Sequence, residues 1–289
     1  MAKRLGGSEV VKAISADTQQ RVAALKSLGI VPMLAIVRVG DRPDDIAYEQ
    51  SASKRCQAMG VAVEAYTLPN EVGQVGLLAL IDKLNNNPSV HGILLLRPLP
   101  EGFDDAVVRN AILAKKDVDG ITDQSLAGVF TGASIGFPPC TAQACMEILD
   151  YYGVDCDGKK AVVIGRSLVV GKPAAMLLLN RNATVTICHS KTEGLANICS
   201  EASILIVAAG RQGLLSADCY HSNQTVIDVG IHVDAEGKLC GDVEYAVAEP
   251  LTAAITPVPG GVGTVTTSVL ISHVVTAAQQ AAMDAGSVL

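Results

Sequence analysis

The stretch AVVIGRSLVVGKPAAMLLL (161–179) reads as a buried strand, a tight turn and the opening of a helix. Residues 161–164 are all apolar and run up to Gly165, which ends the strand. Gly171 opens the helix and Pro173 falls in its first turn, where a missing N–H costs nothing. The two glycines let backbone approach a pyrophosphate, and the helix start supplies free amides and a positive dipole end. The pattern is G-x-S-x-x-x-G rather than G-x-G-x-x-G, and an unliganded strand-to-helix turn could be written the same way. The surrounding segments favour the nucleotide reading.

Around this turn, apolar runs of strand length alternate with helical segments. KAVVIG (160–165), ATVTIC (183–188), SILIVAA (203–209) and TVIDVG (225–230) form one series. PMLAIVRV (32–39), VAVEAYTL (61–68) and HGILLLRP (91–98) form another, with helices expected near 44–59, 71–85 and 103–114. Such alternation predicts βαβ units, hence an α/β chain with parallel sheets covered by helices. FPPCTAQACMEILDYYGVD (137–155) divides the two series, with Thr141 as a candidate N-cap of a connecting helix. The expected domains are 1–139, joined by a returning C-terminal helix (266–289, its helical pattern running about 264–285), and a Rossmann-like doubly wound domain over 140–265.

Composition agrees with this. Of 289 residues, 49% are hydrophobic, 18% charged and only 3% aromatic, so the cores must be built from Val, Ile, Leu and Ala. A net charge of −7 argues against nucleic acid as the main partner. No run approaches the ~18 uninterrupted apolar residues of a membrane span, and the N-terminus has no signal-peptide core. A cytoplasmic protein is expected. The eight cysteines form no C-x-x-C pair and are spread along the chain, so reduced thiols are expected and no metal site.

The second strand of the dinucleotide unit discriminates between cofactors. NAD sites place a carboxylate at its end, roughly 20 residues past the glycines, to hold the ribose 2′-hydroxyl. Here ATVTICHSKT (183–192) puts His189 and Ser190 there, and no acid would repel a 2′-phosphate. Arg166, in the loop itself, offers a cationic fork for that phosphate, although a solvated surface arginine would look alike. NADP is expected over NAD.

KDVDGI (116–121), GRSLVVGKP (165–173), ATVTICHSKT (183–192), VIDVGI (226–231), GDV (241–243) and ITPVPGGVGTVT (255–266) occur in one order along the chain. In this the sequence resembles the methylenetetrahydrofolate dehydrogenase/methenyltetrahydrofolate cyclohydrolase family over nearly its whole length. The resemblance implies a folate-binding domain and an NADP domain with the substrate in the cleft between them, and a homodimer formed through the cofactor domain. It implies that Asp119 holds the pterin, whose N3–H and 2-amino group present two parallel donors to one carboxylate. Asp117 is the weaker candidate and reads better as a turn or capping acid. Tyr48 is implied to border and stack on the folate. Pro257, Pro259, Gly260, Gly261 and Val262 are implied to form the loop between the two ligands, rigid on one side and free of side chains on the other. Gly165, Arg166, Ser167, Gly171, Lys172, Pro173, His189, Ser190 and Ile231 are implied to contact the cofactor. Ala142, Ala144, Thr264 and Val265 depart from the usual residues at their positions, which alters turns and packing.

Two departures fall on the chemistry. In AYEQSASKRCQAMG (47–60) the family pattern is Y-x-x-x-K-x-K, and aligning on Tyr48 and Gly60 places Ala52 where the hydrolytic lysine stands. In GILLLRPLP (92–100), matching G-I-L-V-Q-L-P-L-P, Leu96 replaces the active-site glutamine and Arg97 follows. In the family that glutamine orients the lysine, so the two losses are mutually consistent. Lys54 lies about 120° from Tyr48 around a helix and reads as a solvated lysine; Arg55 is nearer in phase but a poor proton shuttle. The expected protein is an NADP-dependent dehydrogenase with its cyclohydrolase activity lost or strongly reduced. The alternatives are a bifunctional enzyme with a rearranged hydrolytic site, or a non-catalytic folate- and NADP-binding paralogue.

Overall fold

A computed structural model describes residues 1–234 and 236–287. Val288 and Leu289, assigned from sequence to the C-terminal helical segment, lie outside the described residues. The strands are Lys3–Arg4 (β1), Met33–Val39 (β2), Ala62–Leu68 (β3), Gly92–Leu95 (β4), Lys160–Ile164 (β5), Thr184–Cys188 (β6), Ile204–Val207 (β7), Thr225–Asp228 (β8), His232–Val233 (β9), Leu239–Cys240 (β10) and Ala254–Ile255 (β11). The helices are Gly7–Ser27 (α1), Pro43–Ala58 (α2), Gly73–Asn86 (α3), Asp105–Asn110 (α4), Asp123–Thr131 (α5), Cys140–Tyr151 (α6), Gly171–Leu179 (α7), Leu195–Ser200 (α8), Tyr245–Ala248 (α9) and Val262–Asp284 (α10).

Two compact units result: Met1–Lys12 with Pro139–Thr266, and Ala13–Pro138 with Thr267–Leu289. The first holds a parallel six-stranded sheet in the order β1-β11-β8-β7-β5-β6. β5 lies between the edge strand β6 and β7, so the chain reverses its winding direction there. That switch point is where doubly wound sheets bind ligands. Val162, Ile164, Leu205, Val207 and Val226 form the core on one face. The second unit has a three-stranded parallel sheet, β3-β2-β4. Leu34, Ile36 and Val37 of its central strand are fully buried. A strand covered on both faces needs apolar residues in succession, as these runs show.

Several elements differ from the sequence reading. Residues 1–12 fold with the dinucleotide unit, not with the N-terminal domain, because β1 extends the six-stranded sheet by pairing with β11. Neither two-residue strand carries a periodic pattern. The expected helix over 103–114 is cut to α4, where Asp104 accepts hydrogen bonds from the N–H groups of Ala106 and Val107. β4 ends at Leu95, short of the residue-98 boundary, since Pro98 has no N–H for the ladder. Thr141 does not cap α6. It lies inside the first turn, and the boundary residue is Pro139, whose carbonyl accepts from Gln143 N–H at 2.9 Å.

All eight cysteines are free thiols, seven of them buried. Burial pushes Cys56, Cys145 and Cys199 up to about 12. No helix among the described residues is long and apolar enough to cross a membrane.

The KDVDGI turn shows how the second unit is held. Lys116 donates from Nζ to the carbonyls of Leu84 and Asn87 at 2.8 and 2.6 Å, closing the end of α3. Burial, reinforced by neighbouring Lys115, lowers its pKa to about 8. Asp117 is completely buried; its carboxylate accepts from Ile121 N–H, Thr122 N–H and Ser125 Oγ–H at 3.0, 2.8 and 2.7 Å. It is a structural acid, as its turn position suggested. Asp117→Ala leaves three buried donors unpaired and is expected to cost about 3 kcal/mol, with Asp117→Asn costing less. Urea denaturation of the three proteins checks this order.

Candidate active site

In the first unit the site is built on the turn after β5. Gly165 has φ +125°, and a Cβ there would stand 2.2 Å from the carbonyl oxygen of Ala208, at the end of β7. A Cβ on Gly171 would stand 2.2 Å from Gly165 O, so the loop closes tightly on itself. The Ser167 hydroxyl accepts from Val170 N–H at 3.1 Å and Gly171 N–H at 3.4 Å, bracing the loop from within. Ser167 therefore shapes the turn as well as lining it. Arg166 and Lys172 are exposed, whereas Pro173 is buried against the unit in the first turn of α7. The loop thus presents helix-start amides and two cations, a donor set that fits a phosphorylated dinucleotide.

At the end of β6 the chain turns tightly. His189 N–H donates to Thr192 Oγ1 at 2.9 Å and its Nδ1 accepts from Lys191 N–H at 3.2 Å, with Ser190 exposed. No carboxylate stands at residues 189–192. Ile231, 60% exposed, follows β8. In the PVPGG segment Gly260 has φ +98°, and its carbonyl accepts from Gly7 N–H at 2.7 Å. Pro259 is exposed and Gly260 half-buried; Pro257, Gly261 and Val262 are buried. The side chains of Pro257 and Val262 therefore brace the loop, and its surface is Pro259 and Gly260.

Sequence reasoning passed over the residues that hold these loops. Asp228, closing β8, accepts at Oδ1 from Gly230 N–H (2.9 Å) and Asp242 N–H (3.0 Å), and at Oδ2 from Val243 N–H (3.0 Å). Asp242 accepts at Oδ2 from Ala209 N–H (2.6 Å) and Gly210 N–H (3.0 Å), and its Oδ1 lies 2.6 Å from His232 Nε2. Thr256, just before the proline loop, receives Asp228 N–H at 2.8 Å on Oγ1. Burial raises the pKa of Asp228 to about 6 against the opposing effect of its three amide donors. The signal was present, since VIDVGI and GDV contain both acids, but nothing local says that residues 14 apart share hydrogen bonds.

In the second unit, Tyr48 lies on α2, 38% exposed. Ala52, one turn further, is 1% exposed, and Leu96, just past β4, is 7% exposed. Leu96 N–H donates to Val37 O at 2.9 Å, continuing the strand pairing by one residue. Lys54 is exposed. Arg55 donates to Ser268 Oγ of α10 at 2.5 Å, so its guanidinium is committed to tying helices together. Arg97 forms a forked ion pair with Asp105. Asp119 is half-buried, between buried Val118 and the left-handed Gly120. One further group was missed: Arg38 is a charge inside an apolar strand. Its guanidinium donates to Glu49 Oε2 at 2.9 Å and Thr67 Oγ1 at 3.0 Å, pinning α2 to β2 and β3 beside Tyr48.

A doubly wound dinucleotide unit joined to a second α/β unit that carries a half-buried acid and an exposed tyrosine defines a cofactor-dependent enzyme class. Residues 5–119 match the tetrahydrofolate dehydrogenase/cyclohydrolase catalytic domain, and residues 139–282 match the tetrahydrofolate dehydrogenase/cyclohydrolase NAD(P)-binding domain. The chain belongs to that family. It is 49% identical over 281 residues to a protein of Carboxydothermus hydrogenoformans named bifunctional protein FolD, covering 96% of this chain and 98% of that one. A protein of the same name from Alkaliphilus oremlandii is 47% identical, covering 96% and 97%. The crystal structure of the bifunctional FolD of Campylobacter jejuni superposes with a TM-score of 0.94 at 38% identity, covering 97% of this chain and 99% of that one. A Trypanosoma brucei FolD complexed with NADP and an inhibitor gives 0.89 at 35% identity, covering 96% and 98%.

Arg166→Ala is expected to weaken binding of NADP about tenfold or more while changing binding of NAD little, because only the former carries a 2′-phosphate for the guanidinium. Titration of both dinucleotides by calorimetry checks it. Equal losses for the two would remove Arg166 from phosphate recognition.

Proposed function

We infer that this chain is an NADP-dependent methylenetetrahydrofolate dehydrogenase whose methenyltetrahydrofolate cyclohydrolase activity is absent or strongly reduced. The observation that carries the second half is the burial of Ala52 and Leu96, at 1% and 7% exposure, in the places the family gives to a lysine and a glutamine. Neither side chain can move a proton. Lys54 points to solvent and Arg55 is held by Ser268, so neither neighbouring cation supplies a replacement.

The two reactions make different demands. Bound NADP+ accepts the hydride. Loss of that hydride from the methylene carbon leaves a cation delocalised over the folate N5 and N10, and no general base is required. What the protein must supply is orientation, worth ~7–11 kcal/mol when the reacting atoms are well held. Tyr48 offers its exposed ring face for stacking and its hydroxyl for a hydrogen bond; Asp119 offers two carboxylate oxygens for the parallel pterin donors. Pro259 and Gly260 form the rigid, side-chain-poor surface that close ring contact requires. Hydrolysis of the methenyl product needs an activated water and protonation of a leaving nitrogen, typically ~10²–10⁴-fold from a positioned acid or base. Removing that group while keeping Tyr48 and Asp119 spares the first reaction and disables the second.

The name borne by the relatives, bifunctional protein FolD, favours a second reading in which a rearranged site retains hydrolysis. A dual assay separates the readings: NADPH formation from methylenetetrahydrofolate, and decay of added methenyltetrahydrofolate above its spontaneous rate. NADPH formation without accelerated decay is expected. Decay at a rate comparable to NADPH formation would establish the bifunctional enzyme, and binding of both ligands without hydride transfer would establish a non-catalytic protein. The double substitution Ala52→Lys with Leu96→Gln is expected to raise hydrolysis at least tenfold over the parent. Either change alone should do less, since a lone buried lysine lacks the amide that orients it.

The same reading includes a homodimer in the cytoplasm. β6 is an open sheet edge in the first unit, and Ile187 on it and Leu179 on α7 are exposed apolar side chains. Sedimentation equilibrium tests the dimer.

A further inference from the structure

The buried acids of VIDVGI and GDV lie at one end of the switch-point crevice. The strand order sets the direction of a dinucleotide bound there. The phosphate loop rises from β5, and Arg166, His189 and Ser190 place the 2′-phosphate on the β6 side. The opposite, nicotinamide end then extends over the carboxyl ends of β7 and β8. Those ends are the segments whose amides Asp228 and Asp242 hold: Ala209 and Gly210 after β7, Gly230 after β8.

We propose that Asp228 and Asp242 form a buried anionic base under the nicotinamide end of the site, which favours the oxidised, cationic ring over the reduced, neutral one. His232 Nε2 lies 2.6 Å from Asp242 Oδ1. The inference rests on the NADP reading and concerns its redox state.

The side-chain oxygens of Asp228 and Asp242 accept from five backbone N–H groups, and Asp242 Oδ1 faces an imidazole nitrogen, the acceptor role that suits a carboxylate. They are 3% and 0% exposed, so solvent screens them little. Among the described residues, His232 is the one cation-capable group within 4.0 Å of either. The arrangement is built for these two side chains. A Cβ on Gly241 would stand 1.9 Å from Asp228 Oδ2, and one on Gly230 would stand 2.5 Å from Asp242 Oδ1. Two acids retained in so confined a place, with their charge only partly offset, act on whatever charge the crevice holds. The two redox states of the cofactor differ by one positive charge at the nicotinamide.

The quantity that reads this is the ratio of the dissociation constants for NADPH and NADP+, from NADPH fluorescence titration and competition by NADP+. Asp242→Asn is expected to lower that ratio at least about threefold, the scale of one unit charge within roughly 25 Å at an effective dielectric near 20. His232→Arg, which keeps every carboxylate and adds a fixed cation, is expected to lower it in the same sense and serves where Asp242→Asn does not fold. Binding of 2′-phospho-ADP-ribose, which has no nicotinamide, should stay unchanged in His232→Arg. A parallel change in both dissociation constants with the ratio intact would reduce the acids to scaffolding and overturn the proposal. Failure of the unaltered protein to bind 2′-phospho-ADP-ribose would overturn the cofactor reading beneath it.

Discussion

Two carboxylates, Asp228 and Asp242, tie together the loops that the dinucleotide unit uses. A parallel sheet delivers its strand ends to one edge but does not fix the chain beyond them. The connecting backbone there carries N–H groups that no ladder partner satisfies. Five of those N–H groups, from residues 209, 210, 230, 242 and 243, end on these two side chains. Thr256 brings the proline loop into the same network through Asp228 N–H. Without the acids, three loops would have to find water or each other, and the crevice would have no single shape.

The second unit solves the same problem with different residues. Asp117 gathers three donors of the turn that carries Asp119, Lys116 closes the end of α3, and Arg38 fastens α2 beside Tyr48. Each is a charged group buried among hydrogen-bond partners, the condition under which burial of charge is tolerated. Tyr48 and Asp119, the residues proposed to face the folate, are exposed and half-buried, while the residues beside them hold the turn and the helix in place.

Ala52 and Leu96 are buried and apolar. Were a lysine and a glutamine to stand there, a buried lysine without its amide partner would be an uncompensated charge, and a buried glutamine without the lysine would have unpaired polar atoms. An apolar pair carries neither cost.

The amino-acid sequence alone determined the alternation of strands and helices, the Gly165–Gly171 turn and the absence of an acid after β6. All are local: each depends on periodicity, on the conformational freedom of a glycine or on the identity of one side chain. It also marked Asp117 as structural, from its place in a turn. Tertiary structure alone decided that Lys3–Arg4 joins the six-stranded sheet, since two-residue strands have no pattern of their own. It alone committed Arg55 to Ser268, turned Pro257 and Val262 inward, and joined Asp228 to Asp242. Those assignments depend on which backbone amides and side chains meet across long stretches of chain, and a hydrogen bond between distant residues leaves no periodic trace in either segment.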